Sequence, residues 1–97
     1  MKIPKLIFNS ESDFTLEMSK HAYKIHCRTL YAIAHAYNTN EDYVTIAIIQ
    51  TGEDEAELGC PDDAWIDNLE KSLDYFEEIE DYTKCQEVVQ LIKKLDN

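Results

Sequence analysis

The chain has 97 residues, 44% of them hydrophobic, and carries 20 acidic against 9 basic side chains, a net charge of −11. That length supports one domain with a modest core and leaves no room for a second with its own cleft, while the apolar content argues against intrinsic disorder. Residues 1–51 hold five basic and five acidic side chains and residues 52–97 hold four and fifteen, so the second half repels DNA, RNA and anionic membrane and attracts basic proteins.

In chain order, Ser10 or Ser12 can cap a first helix running from Asp13 to about Tyr37. Two apolar stripes run along it, Phe14, Met18, Ala22, Ile25, Thr29, Ala32 and Tyr23, Cys27, Leu30, Ala34, Tyr37. Both advance by three and four residues, which predicts a central helix with two packing partners. Asn38-Thr39-Asn40 interrupts the pattern. Thr39 or Asn40 can cap a second helix, with Glu41 and Asp42 well placed in its first turn. The segment 43–50, YVTIAIIQ, is ambiguous: its caps favour a helix, and its Val, Thr and Ile content suits a strand. A strand there would need Lys5–Asn9 as its partner.

The stretch 51–60, TGEDEAELGC, reads as a loop bounded by Gly52 and Gly59. Pro61 suits the first turn of a third helix, followed by Asp62 and Asp63 and an apolar face of Trp65, Leu69, Leu73, Phe76 and Ile79. Asp81 breaks and re-caps the chain. A fourth helix then presents Cys85, Val88, Val89, Ile92 and Leu95. Two amphipathic helices on so short a connection are antiparallel neighbours. The expected fold is all-α, a bundle of about four helices ending in an antiparallel hairpin, with 43–50 as a strand the open alternative.

The stretch 73–95, LDYFEEIEDYTKCQEVVQLIKKL, resembles the UVR-type helical hairpin of nucleotide-excision-repair subunits. The likeness lies in Glu80-Asp81-Tyr82 at the bend and in small or apolar residues at Cys85, Val88 and Ile92. Val89 and Gln90 stand where that family has an Arg-Asp pair. The resemblance implies pairing with another helical hairpin. The compact, acidic, tyrosine-rich style also resembles small accessory proteins encoded by bacteriophages.

Among candidate sites the acidic seam comes first. Asp63, Asp67, Glu70, Asp74, Glu77 and Asp81 step by four and three, making one stripe away from the Trp65–Leu69 face. Carboxylates about 5–6 Å apart on successive turns approach the spacing of phosphates along a nucleic-acid strand. The plainer role of such a stripe is a solvated face. Tyr75 and Tyr82 border it and can anchor an interface. A basic ridge of Lys20, Lys24 and Arg28, continued by Tyr31 and His35, reads as cations paired within the chain.

His21, His26 and His35 lack metal-ligand spacing, and residues 53–57, EDEAE, lack that of a calcium loop. No phosphate-binding glycine loop or nucleophile elbow occurs. Cys27, Cys60 and Cys85 are an odd set without short spacing. No segment approaches the roughly 18–20 apolar residues of a membrane span, and MKIPKLIFNSES does not resemble a signal peptide. The expectation is a cytoplasmic, non-enzymatic protein with reduced thiols and no metal or cofactor, binding a basic protein partner through the hairpin and making no direct contact with nucleic acid or membrane. Mimicry of nucleic acid by the seam is one alternative; a homo-oligomeric structural component is another.

Overall fold

The computed structural model describes residues 3–8 and 14–96, and the side chains of 3–7 and 21–96. The elements in order are β1 (Lys5–Phe8), α1 (Phe14–Asn38), β2 (Tyr43–Thr51), β3 (Asp54–Pro61), a one-turn 3-10 helix (Asp62–Ala64), α2 (Trp65–Glu78) and α3 (Tyr82–Leu95). The all-α expectation is therefore wrong: three helices accompany a three-stranded mixed sheet of order β1-β2-β3. Ser10, Ser12 and Asp13, the expected start of the first helix, lie outside the described residues.

Segment 43–50 is the central strand. It pairs in parallel with β1, Lys5 opposite Ile48 and Phe8 opposite Thr51, and antiparallel with β3 from Tyr43–Pro61 to Thr51–Asp54. Its β-branched content prevails because both neighbours are supplied, and the helix caps at 39–42 go unused. In their place Asn40 takes a left-handed conformation, φ 58°, just past α1, and the Glu41 amide donates to the Ala36 carbonyl. The expected loop at 51–60 is a tight turn at Gly52, φ 62°, followed by β3.

Alternation along the strands gives the sheet two unlike faces. Leu6, Val44, Ala47 and Cys60 are buried on the inner face. Lys5, Ile7, Tyr43, Thr45, Ile48, Glu55 and Glu57 share the outer face, where Lys5 pairs with Glu55. Glu57 there accepts hydrogen bonds from Thr45 Oγ1 and, at 3.0 Å, from the Tyr43 hydroxyl. These two bonds, Thr45's the larger cause, hold its carboxyl below the usual range. The Tyr43 ring covers Gly59, where an added Cβ would land on the phenol.

α1 packs against β2 and against the α2–α3 pair, but burial does not follow the two expected stripes: Ile33 and Ala36, in neither, are wholly buried, and Tyr23 and Tyr37 of the second are exposed. His26 and Arg28, two residues apart and about 200° apart round the helix, show the division. Arg28 reaches β2, donating from Nε to the Ile46 carbonyl and from Nη2 to the Thr45 carbonyl, both at 3.0 Å. The ladder skips Ile46 at this point, a β-bulge. His26 faces α2: its Nδ1 is hydrogen-bonded to the buried Ser72 hydroxyl at 2.8 Å, and its ring stacks on Tyr75 at 4.5 Å.

Burial lowers the His26 pKa below the usual 6.5. The unfolded chain therefore binds this proton more readily, and stability contributed by neutral His26 is complete above pH 6.5 and declines as pH falls toward the lower folded value. Urea titrations from pH 7.5 to 5 should show a steeper loss for the natural chain than for His26→Asn, which keeps a polar atom near Nδ1. Equal slopes would disprove the assignment.

The C-terminal elements form the antiparallel pair read from the sequence. Trp65 Nε1 donates to the Cys60 carbonyl at 3.1 Å, and Asn68 Nδ2 to the Ala64 carbonyl at 2.9 Å and Cys60 Sγ at 3.0 Å, fixing the start of α2 to the end of β3. At the bend Glu80 adopts φ 61°, with the Asp81 amide donating to the Phe76 carbonyl. Asp81 Oδ1 caps α3 by accepting from the Lys84 amide at 3.3 Å. A left-handed glutamate is strained where glycine is at ease. Glu80→Gly should raise stability by about 0.5–1 kcal/mol, net of glycine's greater unfolded entropy; a fall in Tm would contradict this. Ile79, expected in the core face, is 44% exposed at the same bend.

A candidate partner-binding groove on the helical hairpin

The hairpin has two apolar faces. Leu69, Phe76, Val88 and Leu91 are buried in the common core. Leu73, Cys85, Val89, Ile92 and Leu95 are left half-buried. The second group follows from the width of the apolar arc on α3: residues 85, 88, 89, 91, 92 and 95 span more of the helix than one neighbour can cover. Val88 and Leu91 turn inward, while Cys85 and Val89 floor a groove between α2 and α3.

This groove measures about 580 Å³ and is lined by Leu73, Glu77, Tyr82, Cys85, Gln86, Val89 and Gln90. Tyr82, 62% exposed, stands at the bend end. On α2 Glu77 supplies the carboxylate of the lining, and Glu70, two turns earlier on the same side of the helix, lies outside it. The α2 wall is acidic. On α3, Gln86 and Gln90 make the facing wall neutral. Burial first, then the Glu77 and Asp81 carboxylates, push the Cys85 thiol up, so it remains a neutral apolar filler.

The seam residues fall out as follows. Asp63 lies in the 3-10 turn, and Asp67, Glu70, Asp74 and Glu77 are exposed along α2. The ion pairs seen among the described residues are Lys5–Glu55 and Lys84–Glu87, and neither involves the seam. Asp81 is committed elsewhere, capping α3 and accepting from the Tyr23 hydroxyl at 3.3 Å. Tyr75 lies half-buried, stacked on His26 and edge-on to Phe76 at 5.7 Å. Of the two tyrosines only Tyr82 presents its ring outward. Leu73, Cys85 and Val89 belong to the groove but read from sequence as ordinary core.

A second groove of about 450 Å³ runs on the other side of α3, between Leu30, Tyr31 and Ala34 of α1 and Leu91, Glu87 and Lys94 of α3. Charges of both signs line it. Lys84 closes its bend end by hydrogen-bonding the Tyr31 hydroxyl, which, ahead of the nearby Glu87, raises the lysine pKa. The expected pairing of the basic ridge with the acidic half is not what Arg28 does, since it bonds backbone carbonyls; Lys24 is exposed, and the Lys20 side chain lies outside those described.

Among the described residues no three His, Cys, Asp or Glu side chains converge as a metal site, and no helix is long and apolar enough to cross a membrane. The three cysteines are free thiols, with Cys60 buried and Cys27 and Cys85 half-buried. No protein-family model, curated protein or solved structure gives a significant match to this chain.

Proposed function

We propose that the protein is a non-enzymatic binding module whose α2–α3 groove takes a cationic segment of a partner protein. The observation that carries this reading is the combination of a half-buried apolar floor at Leu73, Cys85 and Val89 with the exposed Glu77 carboxylate on the α2 wall, which enters neither ion pair seen among the described residues. Apolar surface beside an exposed carboxylate favours a complementary partner: the floor gains from losing water, and the wall selects charge.

A photo-crosslinking residue at Gln86, inside the groove, should yield a discrete protein adduct in cells. The same residue at Thr45, on the outer sheet face, should not. Equal adducts at both positions, or none at Gln86, would count against the reading.

The exposed row Asp63–Asp67–Glu70–Asp74–Glu77, which enters no ion pair among the described residues, favours a second reading, nucleic-acid mimicry. It requires duplex DNA to displace the captured protein, and requires Asp67→Lys and Asp74→Lys, which leave the groove lining intact, to abolish capture.

A further inference from the structure

We infer that the protein binds a small monocarboxylate in a cavity between α1 and β2, where the outward edge of the Arg28 guanidinium holds the carboxylate. None of the cavity lining belongs to α2 or α3, so the inference is independent of the groove on the hairpin.

The observation behind it is a half-buried cation with no counter-ion. The chain has 20 acidic side chains, yet among the described residues no carboxylate is ion-paired with Arg28. Its hydrogen bonds run instead from Nε and Nη2 to two neutral carbonyls of the bulge. Burial lowers its pKa, as expected of a charge that has given up water without gaining an opposite charge. A guanidinium carries five donors in one plane, and the Nε–Nη2 edge is spent on β2. The other edge, Nη1 with the second Nη2 proton, makes no hydrogen bond to a described residue. Anchored by the two carbonyls, that edge is held ready for a planar carboxylate taken by two parallel hydrogen bonds.

The cavity sets the size and charge of the ligand. It measures about 260 Å³, below the about 300–1,000 Å³ of pockets for drug-sized ligands, so the body attached to the carboxylate is short. Ala32 and His35 line it from the Arg28 side of α1, with Val44 and Ile3 opposite. Ala32 and Val44 are buried, and with Ile3 they offer apolar surface to an aliphatic body. The lining lies within residues 3–45, in the half of the chain whose charges balance. Its one carboxylate, Glu41, is exposed. The Glu41 amide bonds the Ala36 carbonyl, eight residues beyond Arg28 and so about 12 Å along the helix axis. A single negative charge at Arg28 tolerates a carboxylate at that distance, whereas a doubly charged phosphate is repelled more strongly.

The test is a titration of the full nitrogen-15-labelled chain with sodium isobutyrate, sodium phosphate and sodium chloride at matched ionic strength. Isobutyrate should shift the Arg28 Nε–H and Thr45 amide resonances saturably in the millimolar range, phosphate should bind more weakly, and chloride should give no saturable shift. Arg28→Met should abolish saturation while the amide spectrum stays dispersed. His35→Glu and Glu41→Gln alter exposed side chains of the lining in opposite senses. The first should weaken isobutyrate and the second tighten it, each about threefold, and this pair decides the matter if Arg28→Met does not fold. Absence of saturation with isobutyrate overturns the inference. So does phosphate binding as tightly as isobutyrate, unchanged affinity in folded Arg28→Met, or indifference to both charge changes.

Discussion

Phe76→Ala should lower the unfolding free energy by about 3–5 kcal/mol, the range for truncating a large buried aromatic. Phe76 is wholly buried and sits where three rings meet: Tyr23 and His26 approach it edge-on at 6.2 Å and Tyr75 at 5.7 Å. Two of those rings come from α1 and one from α2, so the loss is shared between the hairpin and the central helix. Small domains hold only about 5–15 kcal/mol in total, and such a loss would bring this one close to unfolding at 37 °C. The single tryptophan, Trp65, is buried at the start of α2 and reports the transition by fluorescence in urea. A loss under about 1 kcal/mol would mean that the ring cluster is not the structural hub its position indicates.

Arg28→Met should cost about 2–3 kcal/mol, from hydrogen bonds to a charged donor and the carbonyls left behind. Methionine keeps much of the aliphatic stem and removes only the guanidinium. Among the described residues β1 meets β2 only from Ile48 onward, and none pairs with residues 43–47 on that side. In a regular strand consecutive carbonyls point opposite ways; at the bulge one guanidinium reaches both Thr45 and Ile46. Burial lowers the Arg28 pKa, and that cost is accepted for two carbonyls that would otherwise lack partners. Arg28→Lys should recover only part of the loss, since a lysine is a point donor without the fork. Lys24→Met, one turn earlier and exposed, is the control and should change stability by less than about 0.5 kcal/mol. If both variants behave alike, the bulge is not held by Arg28.

The sequence made the helices far more legible than the sheet. Asp81 as a cap and the 3.6-residue periods of α2 and α3 are local signals, and local signals survive without knowledge of neighbours. The β3 strand carries the opposite message. Asp54, Glu55, Glu57 and Gly59 are poor strand formers, and their pairing is dictated by β2 across the turn. Their acidity is at home on an edge strand, where charge discourages a further strand from adding. The groove was half legible: Glu77 and Tyr82 could be named from pattern, whereas Leu73 and Val89 looked like core. Periodicity shows that a residue is apolar on a helix face, but not whether the chain supplies enough neighbours to cover it.

The parallel pairing of β1 with β2 is the long-range closure of the sheet. Thr51 and Asp54 meet across a two-residue turn, whereas Lys5 meets Ile48 only after the whole of α1 has been spanned. Closing the longer loop costs more chain entropy and is slower. The β2–β3 ribbon and the two-helix hairpin are built from local contacts, whereas the β1–β2 pair is not. The groove belongs to the local part of the fold: every residue of its lining lies on α2 or α3, so the surface proposed to meet a partner is built without the long-range pair.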